Sequence, residues 1–590
     1  MCGIIGYIGN KKAAPILLKG LKHLEYRGYD SVGIATLSKK HIFVKKDVGK
    51  VGEVSSKLNF LDLKGNTGIS HNRWATHGGV TQKNAHPHTD CSGSIVVVHN
   101  GIIENYRELK EWLIKKGHKF KSETDTEVVP HLVEEEMKNE KKFAEAAKIA
   151  LKKLEGSYAL LLMYKDDNII IATRKGSPLV LGVSDHGYFA ASDIPAFIEY
   201  TKKVVYLSDY DFVTLTPNNF KVFNLLEWKP VRRKIDTISW DAEQAKKGEF
   251  EHFMMKEIAE QVDTIQKAVQ QDRKIIDDIV KEIKKAKGIF LIGCGSSYHA
   301  CLAASYIFSK IAKFHVNVIL ASEFPNYEHF LTNDTLVIAV SQSGETYDVL
   351  EAVRAAKKRG SKVISIVNVM GSSLTRESDT FLMMHAGPEI CVLSTKTYTS
   401  QIALLSLLAY ALAENYEEGK KKLNYLWNII YQLTSRTIRE KIKELAEKLK
   451  DKEHVFCIGR GLQYATALEA ALKIKEVSYI HAEAFAGGEL KHGTIALIEN
   501  GTPCLVFVSE DNKKEILSNA IEIKSRGGYI IGISSKENEI FDSWVKVPES
   551  NTENAIVQII PIQILAYQLA VLRGCDIDHP RNLAKSVTVP

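Results

Sequence analysis

The stretch Ile289-Phe-Leu-Ile-Gly-Cys-Gly-Ser-Ser-Tyr298 recurs as Val455-Phe-Cys-Ile-Gly-Arg-Gly-Leu-Gln-Tyr464, 166 residues further along the chain. Each copy is an apolar run of strand length that ends in small residues and leads into a helical pattern. That order is typical of parallel α/β layers, in which a buried strand is followed by a covering helix. The stretch therefore predicts a parallel sheet, and its recurrence predicts two of them.

Two further matches extend this repeat. Residues 336–341 match 503–509 at an offset near 168, and residues 408–413 match 565–570 at an offset of 157. Three matches in the same order at nearly constant offset indicate a duplicated domain. We predict two copies of one doubly wound domain, and place the second at residues 446–590. The first copy is expected at residues 289–445.

The chain before the repeat is rich in short strands. Runs of β-branched and other apolar residues, such as 95–98 and 160–163, are separated by Gly, Asp and Asn. We predict one domain over residues 2–240 and a linker with connecting helices over residues 241–288. The predicted fold class is therefore α/β and α+β multidomain, with two doubly wound parallel α/β domains at the C-terminal end.

Composition and charge exclude several classes of protein. Of the 590 residues, 45% are hydrophobic and 25% are charged, which are ordinary globular proportions. The net charge of +7 is too small to indicate nucleic acid binding. The apolar stretch 555–572 is interrupted by Pro561 and three glutamines, so we expect no membrane span there. The eight cysteines form no CxxC pair, and no leader opens the chain, which predicts a cytoplasmic protein.

Hydroxyl-rich loops follow strands at three points of the first copy, namely 294–298, 341–346 and 394–397. Such loops lead into helix N-termini, whose N–H groups suit a phosphate dianion. Ser and Thr also cap helices, which explains any single loop equally well. Three loops in one domain favour a phosphate site. The corresponding loop of the second copy, 509–514, carries acidic residues that would repel phosphate.

Acid–base groups are concentrated in the second copy and the tail. Glu469, Lys473 and Glu476 are spaced i, i+4, i+7 and share one helix face. Taken alone, that spacing is typical of a salt-bridged helix surface. A Gly-rich loop with further acid–base groups follows at 481–493.

The histidine spacings do not indicate a metal. His481 and His492 fit no standard zinc set and have no cysteine nearby, and the pair His86 and His88 fails in the same way. We therefore predict no metal site.

Cys2 precedes Gly3 at the start of the chain. An initiator Met is normally removed before a small residue, which would leave Cys2 with a thiol and a free α-amine. That amine has a pKa of about 7.7–8.0, so it can act as the base for its own thiol. The position alone is weak evidence for a nucleophile, because most cysteines are buried residues without a chemical role.

Three segments strengthen this interpretation: 73–78, 99–105 and 122–127. They supply a cation for an α-carboxylate and an acid for an α-ammonium group. Asn100 and the Gly101 N–H can hold an oxyanion. These are the groups that glutamine hydrolysis needs.

With these segments, residues 1–9 and 24–31 resemble the class II glutamine amidotransferases, whose glutaminase domain is an N-terminal-nucleophile sandwich. The C-terminal repeat resembles tandem sugar isomerase domains. Over essentially the whole chain, the combination is similar to the family of glutamine–fructose-6-phosphate aminotransferases (isomerising). The segments 249–258, 341–346, 481–493 and 582–588 carry this resemblance most specifically.

The resemblance implies roles in the glutaminase half. Cys2 is the nucleophile, and Asn100 and Gly101 form the oxyanion hole. Trp74 gates a passage for ammonia. The residues implied in glutamine binding are Arg73, Trp74, Thr76, His77 and Asp125.

In the sugar half, the resemblance implies that Lys585 forms a Schiff base with the ring-opened ketose. Glu476 moves the proton between C1 and C2, and His492 assists ring opening. The residues implied in sugar-phosphate binding or in lining that site are Ser297, Ser341, Gln342, Ser343, Thr346, Val392, Ser394, Glu469 and Lys473.

The implied reaction converts glutamine and fructose 6-phosphate to glutamate and glucosamine 6-phosphate, the first step of amino-sugar synthesis. It needs no metal or organic cofactor, and a homodimer is expected, without nucleic acid or membrane partners. Two alternatives stay open. Another class II amidotransferase would share residues 2–240, and a sugar-phosphate-binding regulator would share the repeat but would not need Cys2, Glu476 and Lys585.

Overall fold

A computed structural model of the chain describes residues 2–138, 141–238 and 247–588. The chain divides into two compact units. The first comprises Met1–Lys246 with the short segments Gly371–Ser373 and Ala584–Pro590, and the second comprises Lys247–Met370 and Leu374–Leu583. The predicted domain boundary at 240 and 241, residues 241–246 of the predicted linker, and the chain end at 590 lie outside the described residues.

The strands of the first unit form two antiparallel sheets. In chain order they are β1 (Gly3–Gly9), β2 (Ser31–Ser38), β3 (His41–Val48), β4 (Thr67–Arg73), β5 (His88–Thr89), β6 (Ile95–Ile103), β7 (Gly156–Tyr164), β8 (Asp167–Lys175), β9 (Val180–Ser184), β10 (Gly187–Ala191), β11 (Lys203–Tyr206), β12 (Asp211–Leu215), β13 (Phe220–Asn224) and β14 (Asp236–Thr237). One sheet has the order β14-β11-β9-β10-β1-β4-β2-β3, and the other has the order β13-β12-β8-β7-β6-β5.

The helices of this unit lie outside the two sheets. They are α1 (Ala13–His23), α2 (Val51–Leu58), α3 (Tyr106–Lys115), α4 (Val128–Met137) and α5 (Phe143–Leu151). Helix α1 packs against β1 and β4 of the eight-stranded sheet. Helices α3 to α5 contribute to the core that lies on one face of the six-stranded sheet.

Strand β6 shows how the layers form. Val96 and Val98 pack with residues of the other sheet, such as Ile4, whereas Ile95 and Val97 pack with the helices. Successive side chains of a strand point to opposite faces, so an unbroken apolar run is buried on both sides. The two sheets therefore face each other between helical layers, which confirms the predicted sandwich.

The second unit contains two five-stranded parallel sheets. Their strands are β15 (Gly288–Gly293), β16 (Asn317–Leu320), β17 (Thr335–Ser341), β18 (Lys362–Val367), β19 (Thr380–Met383), β20 (His454–Gly459), β21 (His481–Ala486), β22 (Pro503–Phe507), β23 (Tyr529–Ser534) and β24 (Ser543–Lys546). The first sheet has the order β16-β15-β17-β18-β19, and the second has the order β21-β20-β22-β23-β24. The two orders are equivalent, which confirms the predicted duplication of a doubly wound domain.

Helices precede, separate and follow these strands. They are α6 (Phe253–Ala259), α7 (Gln261–Ala268), α8 (Arg273–Lys285), α9 (Ser296–Ile307), α10 (Tyr347–Lys358), α11 (Ser373–Glu377), α12 (Lys396–Leu412), α13 (Tyr416–Leu433), α14 (Arg436–Leu449), α15 (Leu462–Ser478), α16 (Lys513–Lys524), α17 (Asn554–Val557) and α18 (Ile559–Leu572). The described part of the predicted linker, from 247 onward, contains α6, α7 and α8.

The apolar stretch at 551–572 is long enough and apolar enough to cross a membrane. In this structure, 83% of its most apolar window is buried inside the protein, and α18 packs against α14 and α15. A helix that is apolar on all sides is explained by burial in the core of a large domain. The stretch is therefore a core helix of the second unit.

Gly459, at the end of β20, allows α15 to begin directly against its strand. A Cβ placed on Gly459 would lie 2.2 Å from the backbone oxygen of Gln463, in the first turn of α15. We expect Gly459→Ala to lower the free energy of unfolding by about 1–3 kcal/mol, because backbone must shift to make room. The measurement is the midpoint of urea unfolding.

Gly488→Ala is the matched control. A Cβ at Gly488 would approach only the end of the Arg460 side chain, at 3.4 Å. We expect a change within about 0.5 kcal/mol. Equal midpoints for the two variants would contradict this account of Gly459.

Candidate functional sites

In the first unit, one pocket gathers Cys2, which precedes β1, with residues of β4 and β6, of the loop after β4 and of the loop before α4. Its lining residues are Cys2, Arg73, Trp74, Thr76, His77, His86, His99, Gly101, Thr124, Asp125 and Thr126. The pocket brings together all of the residues predicted in glutamine hydrolysis except Asn100. Asn100 is not a lining residue, but its side chain donates a hydrogen bond to Cys2.

Backbone groups hold the Cys2 thiol in place. The Trp74 N–H donates to Cys2 Sγ at 3.3 Å, and the Trp74 carbonyl oxygen lies 3.4 Å from the same sulfur. Burial raises the pKa of the Cys2 thiol, although the Trp74 N–H and the Arg73 guanidinium both oppose that rise. Since the thiol is the weaker nucleophile, Cys2 needs a base to react near neutral pH.

Asn100 and Gly101 lie on β6, beside Cys2. Asn100 Nδ2 donates to the Cys2 carbonyl oxygen at 2.8 Å, which uses one of the two amide hydrogens. Gly101 has a φ of 124°, and a Cβ there would lie 2.0 Å from the Ser157 oxygen. The position therefore requires glycine, and Gly101 lines the pocket.

Arg73 and Asp125 place opposite charges in the same pocket. The Arg73 guanidinium donates to the carbonyl oxygens of His77, Gly78 and Gly79, so three of its five N–H groups shape the loop. Asp125 Oδ2 accepts from the Ile103 N–H at 2.8 Å. A cation and a carboxylate in one pocket match the two charges of a free amino acid.

Four buried histidines surround this pocket, and sequence reasoning assigned none of them a role. Burial lowers the pKa of His71, His86, His88 and His99, so these imidazoles are neutral at pH 7. His99 Nδ1 lies 2.9 Å from the Thr126 hydroxyl. The pocket residues Thr124 and Thr126 were also missed, although their position on either side of Asp125 was a usable signal.

In the second unit, Glu469, Lys473 and Glu476 of α15 form a buried ionic network. Lys473 Nζ lies 3.3 Å from Glu469 Oε1 and 2.7 Å from Glu476 Oε2. The side chains of Glu469 and Lys473 are fully buried. Glu469 and Lys473 therefore lie in the core and not on a solvated, salt-bridged helix surface, which was the simpler interpretation of the sequence.

Helix α9 of the first copy completes this network. Ser296 Oγ donates to Glu469 Oε1 at 2.8 Å, and His299 Nδ1 lies 2.8 Å from Glu469 Oε2. Burial by itself raises the pKa of Glu469, but Lys473 and His299 more than compensate and hold it below its ordinary value. Sequence analysis placed Ser296 in a phosphate loop and did not single out His299.

The predicted phosphate loops follow neighbouring strands of the first sheet. Strands β15 and β17 pair in parallel, so their carboxyl ends and the loops 294–297 and 342–346 lie at one edge. Ser341 Oγ accepts from the Gly344 N–H at 3.1 Å and lies 3.2 Å from the Thr346 hydroxyl. The two loops together present small residues and hydroxyls at two helix N-termini.

The other predicted sugar-site residues lie in different surroundings. Ser297 Oγ accepts from Gln401 Nε2 at 3.1 Å, and Ser394 Oγ lies 2.8 Å from the Thr397 hydroxyl, just before α12. The Val392 N–H donates to the Asp578 carbonyl oxygen at 3.2 Å. Gln342 and Ser343 lie in the loop after β17.

His492 ends a short 3-10 helix at Gly487–His492, and its side chain is exposed. Lys585 lies in an irregular stretch at 584–588, which belongs to the first compact unit.

The equivalent loop of the second copy is closed by its own hydrogen bonds. Ser509 Oγ donates to Asp511 Oδ1 at 2.6 Å, and the Ser509 N–H donates to Asn512 Oδ1 at 3.0 Å. Asn512 Nδ2 donates to the Arg460 carbonyl oxygen at 3.0 Å. The first-copy loop is also bonded internally, but through hydroxyls and backbone N–H groups, where the second copy uses a carboxylate and an amide.

Comparisons with known families agree with this division of the chain. The model of a glutamine amidotransferase domain matches residues 71–199, and the model of the SIS domain matches residues 282–411 and 448–573.

Full-length relatives share the same architecture. The chain is 48% identical to glutamine–fructose-6-phosphate aminotransferase [isomerizing] of Thermococcus kodakarensis and 47% identical to that of Methanococcus maripaludis, and in both cases all of each chain is covered. Among solved structures, the C-terminal domain of glucosamine-fructose-6-phosphate aminotransferase from Francisella tularensis is 34% identical. It matches with a TM-score of 0.52, over 56% of this chain and 99% of that one.

The buried network makes a prediction about stability. In Lys473→Met, Glu469 keeps its burial but loses its strongest cation, so we expect a loss of about 3–5 kcal/mol at pH 8. Without Lys473, burial raises the pKa of Glu469 above its unfolded value. The loss should therefore shrink as the pH falls through that raised pKa, because protonation removes the buried charge. Urea unfolding at a series of pH values measures it.

Lys475→Met tests the same helix on its exposed side, since Lys475 is solvent-exposed. We expect little change at any pH for this control. A loss for Lys473→Met that does not depend on pH would contradict the role assigned to the Glu469 charge.

Proposed function

Because the chain belongs to the glutamine–fructose-6-phosphate aminotransferase [isomerizing] family, we propose that it converts L-glutamine and D-fructose 6-phosphate to L-glutamate and D-glucosamine 6-phosphate. The observation that carries this proposal is the presence, in one chain, of a pocket with Cys2, Arg73 and Asp125 and of two sugar isomerase domains. The product is the first intermediate of amino-sugar synthesis.

The first unit would release ammonia from glutamine. After removal of Met1, the α-amine of Cys2 takes the thiol proton, and the sulfur attacks the side-chain amide carbon. Asn100 and the Gly101 N–H stabilise the oxyanion, ammonia leaves, and water hydrolyses the thioester to glutamate. Arg73 and Asp125 hold the carboxylate and the ammonium group of the substrate. The raised pKa of the buried thiol is the reason that a base is required.

Other pocket residues would fix the substrate and its product. Thr76 and His77 line the pocket beside Arg73 and contribute to glutamine binding. Trp74, whose backbone contacts Cys2, gates the passage of ammonia. Ammonia in bulk water is protonated and stops being a nucleophile, so a passage that excludes water preserves its reactivity.

The second unit would bind the sugar phosphate. The phosphate lies on the loops of the first copy, where hydroxyls and N–H groups converge at helix N-termini. The residues proposed for binding or lining are Ser297, Ser341, Gln342, Ser343, Thr346, Val392 and Ser394.

The chemistry on the sugar is assigned to groups of the chain itself. Lys585 forms a Schiff base with the open ketose, and Glu476 moves the proton between C1 and C2. Glu469 and Lys473 belong to the same site, where the Lys473 ammonium lies 2.7 Å from Glu476. His492 assists ring opening. No metal or organic cofactor takes part in these steps.

We further propose a cytoplasmic homodimer in which His492 serves the sugar site of the neighbouring subunit. Its exposure on a short 3-10 helix is compatible with such a role.

Assays of glutamate release and amino-sugar formation, with and without fructose 6-phosphate, test the reaction. Glutamate release without amino sugar would favour another class II amidotransferase. Binding of fructose 6-phosphate without either product would favour a sugar-phosphate-binding regulator.

We expect Cys2→Ala to abolish glutamine hydrolysis and to leave the isomerisation of fructose 6-phosphate nearly intact, because the two reactions use separate groups. Glutamate release and ketose–aldose interconversion are measured on the same preparation. Glutaminase activity that survives in this variant would refute the assignment of Cys2 as the nucleophile. A retained Met1 in the mass spectrum of active enzyme would refute the proposed base.

Complementation tests the shared sugar site. His492→Asn and Lys585→Arg chains should each be nearly inactive in isomerisation. After unfolding and co-refolding, about half of the dimers are mixed, and each mixed dimer holds one site with neither substitution. About a quarter of the wild-type activity should return. Mixed dimers that form by native mass spectrometry but recover no activity would contradict the shared site.

A further inference from the structure

Four side chains in the first unit converge outside the residues that line the glutamine pocket. Cys91 lies in the turn between β5 and β6, His118 follows α3, and His131 and Glu134 lie one turn apart on α4. One potential ligand atom from each of the four lies within 4.8 Å of every other. Each of these residue types is a ligand for transition metals.

The distances match a tetrahedral metal site. Cys91 Sγ lies 3.7 Å from His118 Nδ1 and 3.6 Å from His131 Nδ1, and the two Nδ1 atoms are 3.3 Å apart. Tetrahedral zinc with bonds of about 2.3 Å to sulfur and about 2.0–2.1 Å to nitrogen requires S···N edges of about 3.6 Å and N···N edges of about 3.3 Å.

The carboxylate of Glu134 closes the fourth corner. Its Oε2 lies 2.9 Å from His118 Nδ1 and 3.2 Å from His131 Nδ1. The same oxygen accepts from the Cys91 N–H at 3.2 Å, which fixes the carboxylate beside the thiol. One thiol, two imidazoles and one carboxylate thus point their donor atoms at a common centre.

Each histidine turns its other nitrogen toward a second carboxylate. His118 Nε2 lies 2.9 Å from Glu135 Oε2, and His131 Nε2 lies 3.6 Å from Glu127 Oε1. Glu127 is held in turn by the N–H groups of Lys121 and Ser122. In metal sites, an outer carboxylate at hydrogen-bond distance, as Glu135 is from His118, fixes the ring orientation and leaves the inner nitrogen with its lone pair for the metal.

The two imidazoles meet inside the protein. His118 and His131 are 5% and 0% exposed, and their Nδ1 atoms lie 3.3 Å apart beside the Glu134 carboxylate. A cation between the rings would accept a lone pair from each Nδ1, from the Cys91 sulfur and from the carboxylate.

We propose that Cys91, His118, His131 and Glu134 bind one zinc ion. The mixed set of one sulfur, two nitrogens and one oxygen suits zinc in tetrahedral geometry. Because four protein ligands fill the coordination sphere, the ion is structural and takes no part in catalysis.

The position of the ion suits it to stabilise one wall of the glutamine pocket. His118 and His131 bracket the loop that carries Thr124, Asp125 and Thr126 to the glutamine pocket, and Cys91 lies just before β6, which carries Asn100. Ligands on both sides of that loop shorten the segment that is free to move. Zinc would therefore hold the pocket wall in its binding geometry.

The spacing explains why the sequence alone predicted no metal. The ligands stand at 91, 118, 131 and 134, without the close Cys or His pairs of common zinc motifs. The histidines considered first, His86 and His88, are instead buried beside the pocket and are not part of the cluster.

The test uses untagged full-length chain, stripped of metal and titrated with Co²⁺. One equivalent should bind and give the absorption of tetrahedral cobalt together with a thiolate-to-cobalt charge-transfer band. Cys91→Ser should lose the charge-transfer band, whereas Cys575→Ser, a control at a half-buried thiol of the second unit, should keep it. Glu135→Gln should lower zinc affinity about 10–100-fold, because His118 loses its outer carboxylate.

A second measurement keeps the proposal falsifiable where a variant folds poorly. Zinc added to the stripped wild-type chain should raise its unfolding temperature, and a chelator should reverse the rise. Absence of stoichiometric metal with an unfolding temperature insensitive to zinc would overturn the proposal. A cobalt spectrum that Cys91→Ser leaves unchanged would also overturn it.

Discussion

The Lys473 ammonium, buried between Glu469 and Glu476, imposes the strictest constraint on the second unit. A charge removed from water costs several kcal/mol unless partners surround it. Lys473 Nζ contacts both carboxylates and also donates to Ser296 Oγ at 3.1 Å. Since Ser296 lies on α9 and Lys473 on α15, compensation of this charge depends on both copies of the repeat. The two copies therefore form one body around a polar centre.

The same requirement shapes the first unit. Arg73 is 3% exposed and is held by three carbonyl oxygens, and Asp125 is 4% exposed and is held by a backbone N–H. The buried histidines nearby need no compensating partner, because burial lowers their pKa and leaves them neutral. Fixed charges of both signs then stand in one pocket beside the neutral imidazoles of His86 and His99. Such a pocket selects a ligand that carries both charges.

The two copies of the sugar isomerase domain share a fold but differ in the loop after their central strand. In the first, the loop after β17 keeps glycine and hydroxyls at the helix N-terminus. In the second, Asp511 and Asn512 occupy the equivalent loop and bind its own backbone and Ser509. The second copy contributes through its helix α15 instead, which carries the acid–base groups. The copies therefore differ in side chains rather than in fold, with a carboxylate and an amide in one loop and glycine and hydroxyls in the other.

Local patterns were enough to predict the architecture. The repeat of 289–298 at 455–464 predicted two parallel sheets, and the apolar runs around β6 predicted strands, because strand and helix periodicities are properties of neighbouring residues. Cys2 and the segments after it identified the glutaminase pocket for a similar reason, since the resemblance rests on short contiguous motifs. The roles of Lys585 and His492 come from that resemblance and stay predictions.

Only the tertiary structure decided which face of α15 is buried, and that His299 of α9 pairs with Glu469. The spacing of Glu469, Lys473 and Glu476 is the same on a solvated helix and in a core. It likewise decided that Cys91, His118, His131 and Glu134 meet. Cys91 and Glu134 are 43 residues apart in sequence, and they become neighbours only because a turn and a helix are placed against the same sheet. Spacing along the chain carries no information about such distances, since they depend on how strands and helices pack.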